Sequence, residues 1–277
     1  MESLVRRTLK GIAAPAALNF PPLENMAEPF ITTAIHAARS AGALLKENFG
    51  KDLKVNEMQD HDIKLELDVR SQALIAGILL DAHPGHAFFG EEGIEGDQDS
   101  PYQWIVDPID GTVNYFYSIP HFCVSIGLRH QGKIIAGVIY DPLLDELFQV
   151  EKGKGAQLNG HPIHVSQRQL KDAVITIGFS KDKASIDAGL ERYKQIAYSV
   201  RKTRVFGSAA LALAYIACGR LDAYIEEQIS IWDIAAGWLL IEEAGGIVEV
   251  RVSPVKTGKQ AIIAANRTID LSDIPRD

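Results

Sequence analysis

The chain has 277 residues, 47% hydrophobic and 23% charged, with a net charge of −8 and a pI near 5.5. A chain of this length buries about three quarters of the surface its unfolded form exposes, so no disulfide or metal staple is needed to fold it. The acidic balance argues against nucleic acid as a main partner, which requires an excess of Lys and Arg on one face.

No stretch approaches the roughly 18 apolar residues of a membrane span, and no secretory signal stands out, so a cytoplasmic protein with no membrane partner is expected. Residues 1–25 carry Arg6, Arg7 and Lys10 followed by Ala-rich and Pro-rich segments, which read as a disposable extension or an upstream start. Glu28 to Phe49 predicts an amphipathic helix stopped by Gly50, and Asp68 to Ala82 a second one ended by Pro84-Gly85. His86-Ala87-Phe88-Phe89 reads as a short buried strand ending in Gly90-Glu91-Glu92-Gly93, and Trp104-Ile105-Val106 as a buried strand running into two carboxylates. From Phe122 to Val165 the pattern is a meander with turns at Gln131-Gly132, Pro142-Leu143-Leu144-Asp145, Gly153-Lys154-Gly155 and Asn159-Gly160.

Beyond Asp172 strands and helices alternate: Val174 to Phe179, a helix around Leu190 to Val200, Thr203 to Phe206, Ser208 to Cys218, Leu221 to Ile225, then a helix opening at Asp233 and closed by Gly245-Gly246. Asp233 reads as an N-cap for that helix, a role compatible with metal ligation. Arg201-Lys202-Thr203-Arg204 reads as a solvated helix end rather than a nucleic-acid patch. Cys123 and Cys218 have apolar neighbours and are expected to be reduced core thiols. The eight His residues form no HExxH or Cys/His ligand set, so zinc has no obvious home. Without repeat or linker, the halves 26–168 and 169–277 are expected to pack as one unit.

The chemistry concentrates in Asp107-Pro108-Ile109-Asp110-Gly111-Thr112. Pro108 and Gly111 turn the chain just past a buried strand, so Asp107 and Asp110 converge. Two carboxylates about 4 Å apart repel by about 4 kcal/mol at an effective dielectric of about 20, so a partly buried pair needs a cation or a proton. An all-oxygen ligand set favours magnesium, manganese or calcium. After Gly111, Thr112-Val113-Asn114 offers free amides and a hydroxyl to an anion. A surface turn in which both acids merely cap backbone donors fits the isolated motif equally well. The EF-hand does not fit, since the twelfth residue from Asp107 is Ser118, and aspartyl-phosphate phosphatases space their acids differently.

Gly90-Glu91-Glu92, Asp107-Pro108-Ile109-Asp110-Gly111-Thr112 and Trp232-Asp233-Ile234-Ala235-Ala236-Gly237 resemble, in this order and spacing, the lithium-sensitive, magnesium-dependent inositol monophosphatase family. The agreement runs from Met26-Ala27-Glu28-Pro29 through Gly153-Lys154-Gly155-Ala156 and Gly207-Ser208-Ala209 to Ala264-Ala265-Asn266. The resemblance implies a layered α-β-α-β-α sandwich of the α+β class, with an antiparallel N-terminal sheet, a mixed C-terminal sheet, a metal site between the halves and usually a homodimer. It implies two or three Mg2+ ions: one on Glu91, Asp107 and the Ile109 carbonyl, a second on Asp107, Asp110 and Asp233, and a weaker third near Glu91. It makes Thr112 the contact to the attacking water and Asp68 the acid that polarises it, although Ile63-Lys64-Leu65-Glu66-Leu67 departs from the hydroxyl residues usual before that acid. Gly111, Thr112 and Asp233 would face the phosphorylated substrate, and Gly207, Ser208, Ala209 and Glu226 its alcohol. The implied reaction is hydrolysis of a small phosphate monoester by direct attack of water, with myo-inositol monophosphate first among substrates and histidinol phosphate or fructose 1,6-bisphosphate as alternatives. A reading from another class is a binding partner in transcription or ribosome assembly, as some bacterial relatives are.

Overall fold

Small residues set how closely the first helix can lie on its sheet. In the computed structural model, which describes residues 29–59, 62–179, 183–253, 257–270 and 272, helix α1 (Phe30–Asn48) buries Ala34, Ala37, Ala38, Ala41, Gly42 and Leu45. This spacing is the stripe of an amphipathic helix. The expected extension over 1–25 and the helix start at Glu28 lie outside the described residues. A hairpin of β1 (Val55–Gln59) and β2 (Asp62–Leu65), not anticipated from the sequence, leads into α2 (Glu66–Ala82). That helix begins two residues earlier than expected.

Strands β3 (Ala87–Gly90), β4 (Gly93–Gly96) and β5 (Tyr102–Asp110) precede a short helix, α3 (Thr112–Phe116). The predicted meander follows as β6 (Cys123–His130), β7 (Lys133–Asp141), β8 (Glu146–Glu151), β9 (Ala156–Leu158) and β10 (His161–Pro162). Gln131 and Asn159 take left-handed backbone angles, each followed by a glycine that does the same, as tight hairpin turns require. These strands form an eight-stranded sheet in the order β10-β9-β8-β7-β6-β5-β3-β4, antiparallel except where β3 runs parallel to β5.

The second half contains β11 (Val174–Ile177), α4 (Lys183–Ser199), β12 (Lys202–Arg204), α5 (Ala209–Ala217), β13 (Ala223–Ile229), α6 (Ile231–Glu243), β14 (Ile247–Val252) and β15 (Gln260–Ala265). Its five strands make a mixed sheet in the order β12-β11-β13-β15-β14. Arg201-Lys202-Thr203-Arg204 is therefore not a helix end: Lys202–Arg204 is the edge strand β12, and Arg201 pairs with Asp172. A strand carrying Lys and Arg is a common way to discourage pairing at a sheet edge.

α1 and α2 cover one face of the large sheet; α5 and α6 fill the space between the two sheets, and α4 packs on the far side of the smaller sheet. Five layers, α-β-α-β-α, result. α6 lies close against β6 and β7 because Gly137 leaves room: a Cβ there would come 2.9 Å from the Ala236 Cα. That approach holds the first turn of α6, which carries Asp233, against the end of β5.

Candidate active site

The site starts from an irregularity in β5. Asp107 pairs with Ser125 and Asp110 with Cys123, so three steps on one strand oppose two on the other. In a regular strand, residues three apart point to opposite faces; the inserted residue of a bulge returns Asp107 and Asp110 to the same side. Gly111 then ends the strand at φ 96°, and a Cβ there would meet the His121 carbonyl at 3.0 Å and the Gly207 carbonyl at 3.3 Å. Glycine is the residue that suits both the angle and the space.

Asp233 reaches these acids from α6. It is not the N-cap: Ser230 holds that position, and Asp233 sits three residues on, its Oδ2 accepting the Ser230 N–H at 3.0 Å. The helix starts earlier than the periodic apolar run because Ser230 offers a better boundary, and the acid in the first turn is favoured by the helix dipole. Asp68 occupies the same place on α2, accepting the Leu65 N–H at 2.7 Å.

Ligand oxygens of Asp107, Asp110 and Asp233 lie within 4.8 Å of one another. Asp107 is 2% exposed and Asp110 7%, and among the described residues no Lys or Arg forms an ion pair with any of the three. Burial drives the Asp107 carboxyl well above the usual range, reinforced by the negative charges of Glu91, Asp110 and Asp233. Burial, then Asp110, pushes Asp233 up to about 7, while a hydrogen bond from Asp107 pulls the other way. Crowding of negative charge in a dry site disfavours ionisation of all the acids together unless a cation or a proton offsets it. Three carboxylates converging in this way fit a hard divalent ion with oxygen ligands.

Around this core the acids divide. Glu91, at the end of β3, lies outside the three-oxygen cluster, yet its charge acts on both Asp107 and Asp68. Phe89 and Trp232 meet edge to face at 5.5 Å and tie the end of β3 to the start of α6. The Ile109 N–H donates to Asp107 Oδ1 at 3.0 Å, and the Ile109 carbonyl accepts the Thr112 hydroxyl at 2.9 Å. That hydroxyl is also 3.4 Å from Asp68 Oδ1, so its single proton chooses between two acceptors. Desolvation pushes Asp68 up to about 7, with Glu91 and Glu92 adding to it and the Leu65 N–H and Thr112 opposing it.

The segment Gly207-Ser208-Ala209 turns towards Asp110: the Ser208 hydroxyl and the Ala209 and Ala210 amides all donate to its carboxylate. Glu226 and Glu227 part as neighbours on a strand do. Glu227 pairs with Arg192 and Arg251, whereas Glu226 accepts the Tyr224 hydroxyl and its charge reaches Asp233.

Three contributors escape a reading by sequence. Asn114 bridges the His121 and Phe206 carbonyls, both at 2.8 Å, joining α3 to the segment before α5. The Cys123 thiol, expected only to fill the core, donates to Asp110 at 3.7 Å. Lys259 donates to the Ser230 hydroxyl and stands 5.5 Å from the centre of the Trp232 ring. Each is a contact between distant segments, for which no spacing rule gives a signal. Cys218 is half-buried and, like Cys123, free.

Acids converging from β5 and from the first turn of α6, with a hydroxyl–carboxylate pair beside them, are the constellation of a phosphoric monoester hydrolase, and comparison with known proteins agrees. The sequence profile of the inositol monophosphatase family matches residues 26–272. Inositol monophosphatase 2 of Solanum lycopersicum is 41% identical over 231 residues, covering 80% of this chain and 87% of that protein. Nus factor SuhB of Pseudomonas aeruginosa is 39% identical over 230 residues, covering 80% and 85%. The crystal structure of the extragenic suppressor protein suhB from Bartonella henselae superposes with a TM-score of 0.80 at 39% identity, covering 86% of this chain and 93% of that one. The chain belongs to the inositol monophosphatase family. Among the described residues no helix is long and apolar enough to cross a membrane.

Proposed function

We propose that the protein hydrolyses a small phosphorylated polyol, myo-inositol monophosphate first, with Mg2+ held by Asp107, Asp110 and Asp233 and by Glu91 with Asp107 and the Ile109 carbonyl. The observation that carries this reading is the convergence of three carboxylates within 4.8 Å beside the Thr112–Asp68 pair. A divalent cation bound there supplies the charge that phosphoryl transfer needs: it lowers the pKa of water, neutralises phosphoryl oxygens and stabilises the departing alkoxide.

The protein's own groups do the positioning. Were the Ile109 carbonyl to hold a cation, Asp68 would take the Thr112 proton, leaving the Thr112 oxygen to accept a hydrogen bond from the attacking water. Asp68, buried and three residues into α2, fixes that orientation. The first amides of α3, after the sharp turn at Gly111, have no intrahelical acceptor and suit phosphoryl oxygens. Glu226 presents a carboxylate suited to vicinal hydroxyls of the alcohol, with Gly207 and the Ala209 backbone alongside. The same acids serve histidinol phosphate or fructose 1,6-bisphosphate equally well.

A second reading, a binding partner in transcription or ribosome assembly, draws on relatives named Nus factor SuhB. The complete acid set favours catalysis. Phosphate release from myo-inositol 1-phosphate, fructose 1,6-bisphosphate, histidinol phosphate and a 3′-phosphoadenosine nucleotide, with and without Mg2+, tests both. The expected outcome is Mg2+-dependent turnover selective for the inositol ester; preference for another ester replaces the substrate, and no turnover on any moves the weight to binding.

A further inference from the structure

We propose that Ser208 is a positioning residue for Asp110, anchoring one carboxylate oxygen so that the other is presented to the cation; this rests on the metal reading above. The two oxygens of Asp110 are treated unequally. Oδ2 takes the Ser208 hydroxyl, the Ala210 N–H at 2.7 Å and the Cys123 thiol at 3.7 Å. Oδ1 takes the Ala209 N–H at 3.3 Å. Oδ2 is crowded with donors, and Oδ1 keeps the open lone pairs.

Ser208 makes this asymmetry directional. Its oxygen accepts the Leu211 N–H at 3.3 Å as the cap of α5, so a lone pair is committed to the helix and the proton is left for Asp110. The residue is 4% exposed, and the Cys123 sulfur lies 4.0 Å from its hydroxyl, closing the other side. The hydroxyl is thus spent inside the protein and is not available to a substrate alcohol. The amides of Ala209 and Ala210 are lost only to proline, which also fixes the backbone; Ser208 is the donor that a side-chain substitution removes.

A cap alone and a cap that aims a ligand differ in what they move. The test compares Ser208→Ala, Ser208→Thr and Asp110→Asn in the full chain, reading Mn2+ binding by calorimetry, the Mg2+ concentration for half-maximal turnover, and thermal melting. Loss of an outer partner of a metal ligand typically weakens metal binding about 10- to 100-fold, so Ser208→Ala is expected to weaken Mn2+ at least tenfold, to raise the Mg2+ requirement in step, and to leave KM for the ester at saturating metal within about twofold. Ser208→Thr, which keeps the hydroxyl, is expected to restore both. Unchanged Mn2+ binding in Ser208→Ala, with a lowered melting temperature, would reduce Ser208 to a helix cap and overturn the proposal while Asp110→Asn still lost the metal. Unchanged Mn2+ binding in Asp110→Asn would instead sink the metal assignment itself. Should Ser208→Ala fail to fold, Ser208→Gly serves, because glycine is tolerated at an N-cap at little cost and lacks the donor.

Discussion

Asp222 and Asp107 are buried to nearly the same degree, at 0% and 2% exposure, and are handled in opposite ways. Asp222, at the start of β13, receives both of its contacts to the Arg168 Nε, at 3.0 and 2.9 Å, the Val174 N–H at 2.6 Å, the Asn266 amide at 3.1 Å and the Ser166 hydroxyl. It is a finished joint that ties the segment after β10 to β11, β13 and the end of β15. Asp107 faces Glu91, Asp110 and Asp233, and burial together with those charges holds its carboxyl well above the usual range. A buried acid that carries its own cation serves the fold, whereas buried acids gathered without one could take a cation from solution.

The sharpest way to break this contrast is to neutralise each acid. Asp107→Asn or Asp233→Asn is expected to cut turnover at least about 100-fold at saturating Mg2+, the scale of losing a catalytic electrostatic contact, with an unchanged far-UV circular dichroism spectrum. Retention of more than about a tenth of wild-type turnover by either variant contradicts the assignment. Asp222→Ala should behave in reverse: it leaves a half-buried arginine and several donors unpaired and lowers stability by about 3 kcal/mol in a urea titration, with kcat changed little in the folded fraction. If both variants lose stability and activity alike, the distinction between joint and site fails.

A pH measurement sharpens the comparison further. Asp68 and Asp233 titrate near 7 in the folded chain, and a carboxylate titrates near about 4 when unfolded. Between those values the folded state holds more protons, so the metal-free protein is most stable on the acid side and loses stability as pH rises from about 4 to about 7. In EDTA, the melting temperature is expected to be higher at pH 5.5 than at pH 8, and Mg2+ should raise it more at pH 8, where it no longer competes with protons. A metal-free protein that is more stable at pH 8 would show that these acids are already compensated. The smallest expected effect is that of Glu226→Gln: about a tenfold rise in KM for an inositol phosphate, the scale of one lost hydrogen bond to a charged group, and little change for a featureless aryl phosphate. Equal changes on both remove Glu226 from the site.

Much of the site was legible because the chemistry is written in short local patterns. Asp107 and Asp110 follow a buried apolar run and precede Gly111, although both acids lie within β5 and converge through a bulge rather than through a turn at Pro108, and the apolar period of α6 places Asp233 in its first turn. Boundaries were less legible. Asp233 was expected at the cap and stands three residues inside, since Ser230 competes for that place; the strand expected from Thr203 to Phe206 runs instead over Lys202–Arg204, because three residues are too few to show a period. The hairpin of β1 and β2 carries mostly polar residues, and β14 and β15 announced themselves by no turn motif.

By itself the sequence determined which residue types are available, where the apolar stripes lie and that two acids follow a buried apolar run. Tertiary structure alone decided which atoms meet. Asp110 is gripped by amides 99 and 100 residues away, Asn114 is pinned to Phe206, and Glu226 and Glu227 are sent to different neighbours. The physical reason is that a helix or strand is selected by short-range periodicity and backbone hydrogen bonds, whereas the partner of a buried polar group is fixed only when layers pack and each desolvated atom must find a donor, an acceptor or an ion.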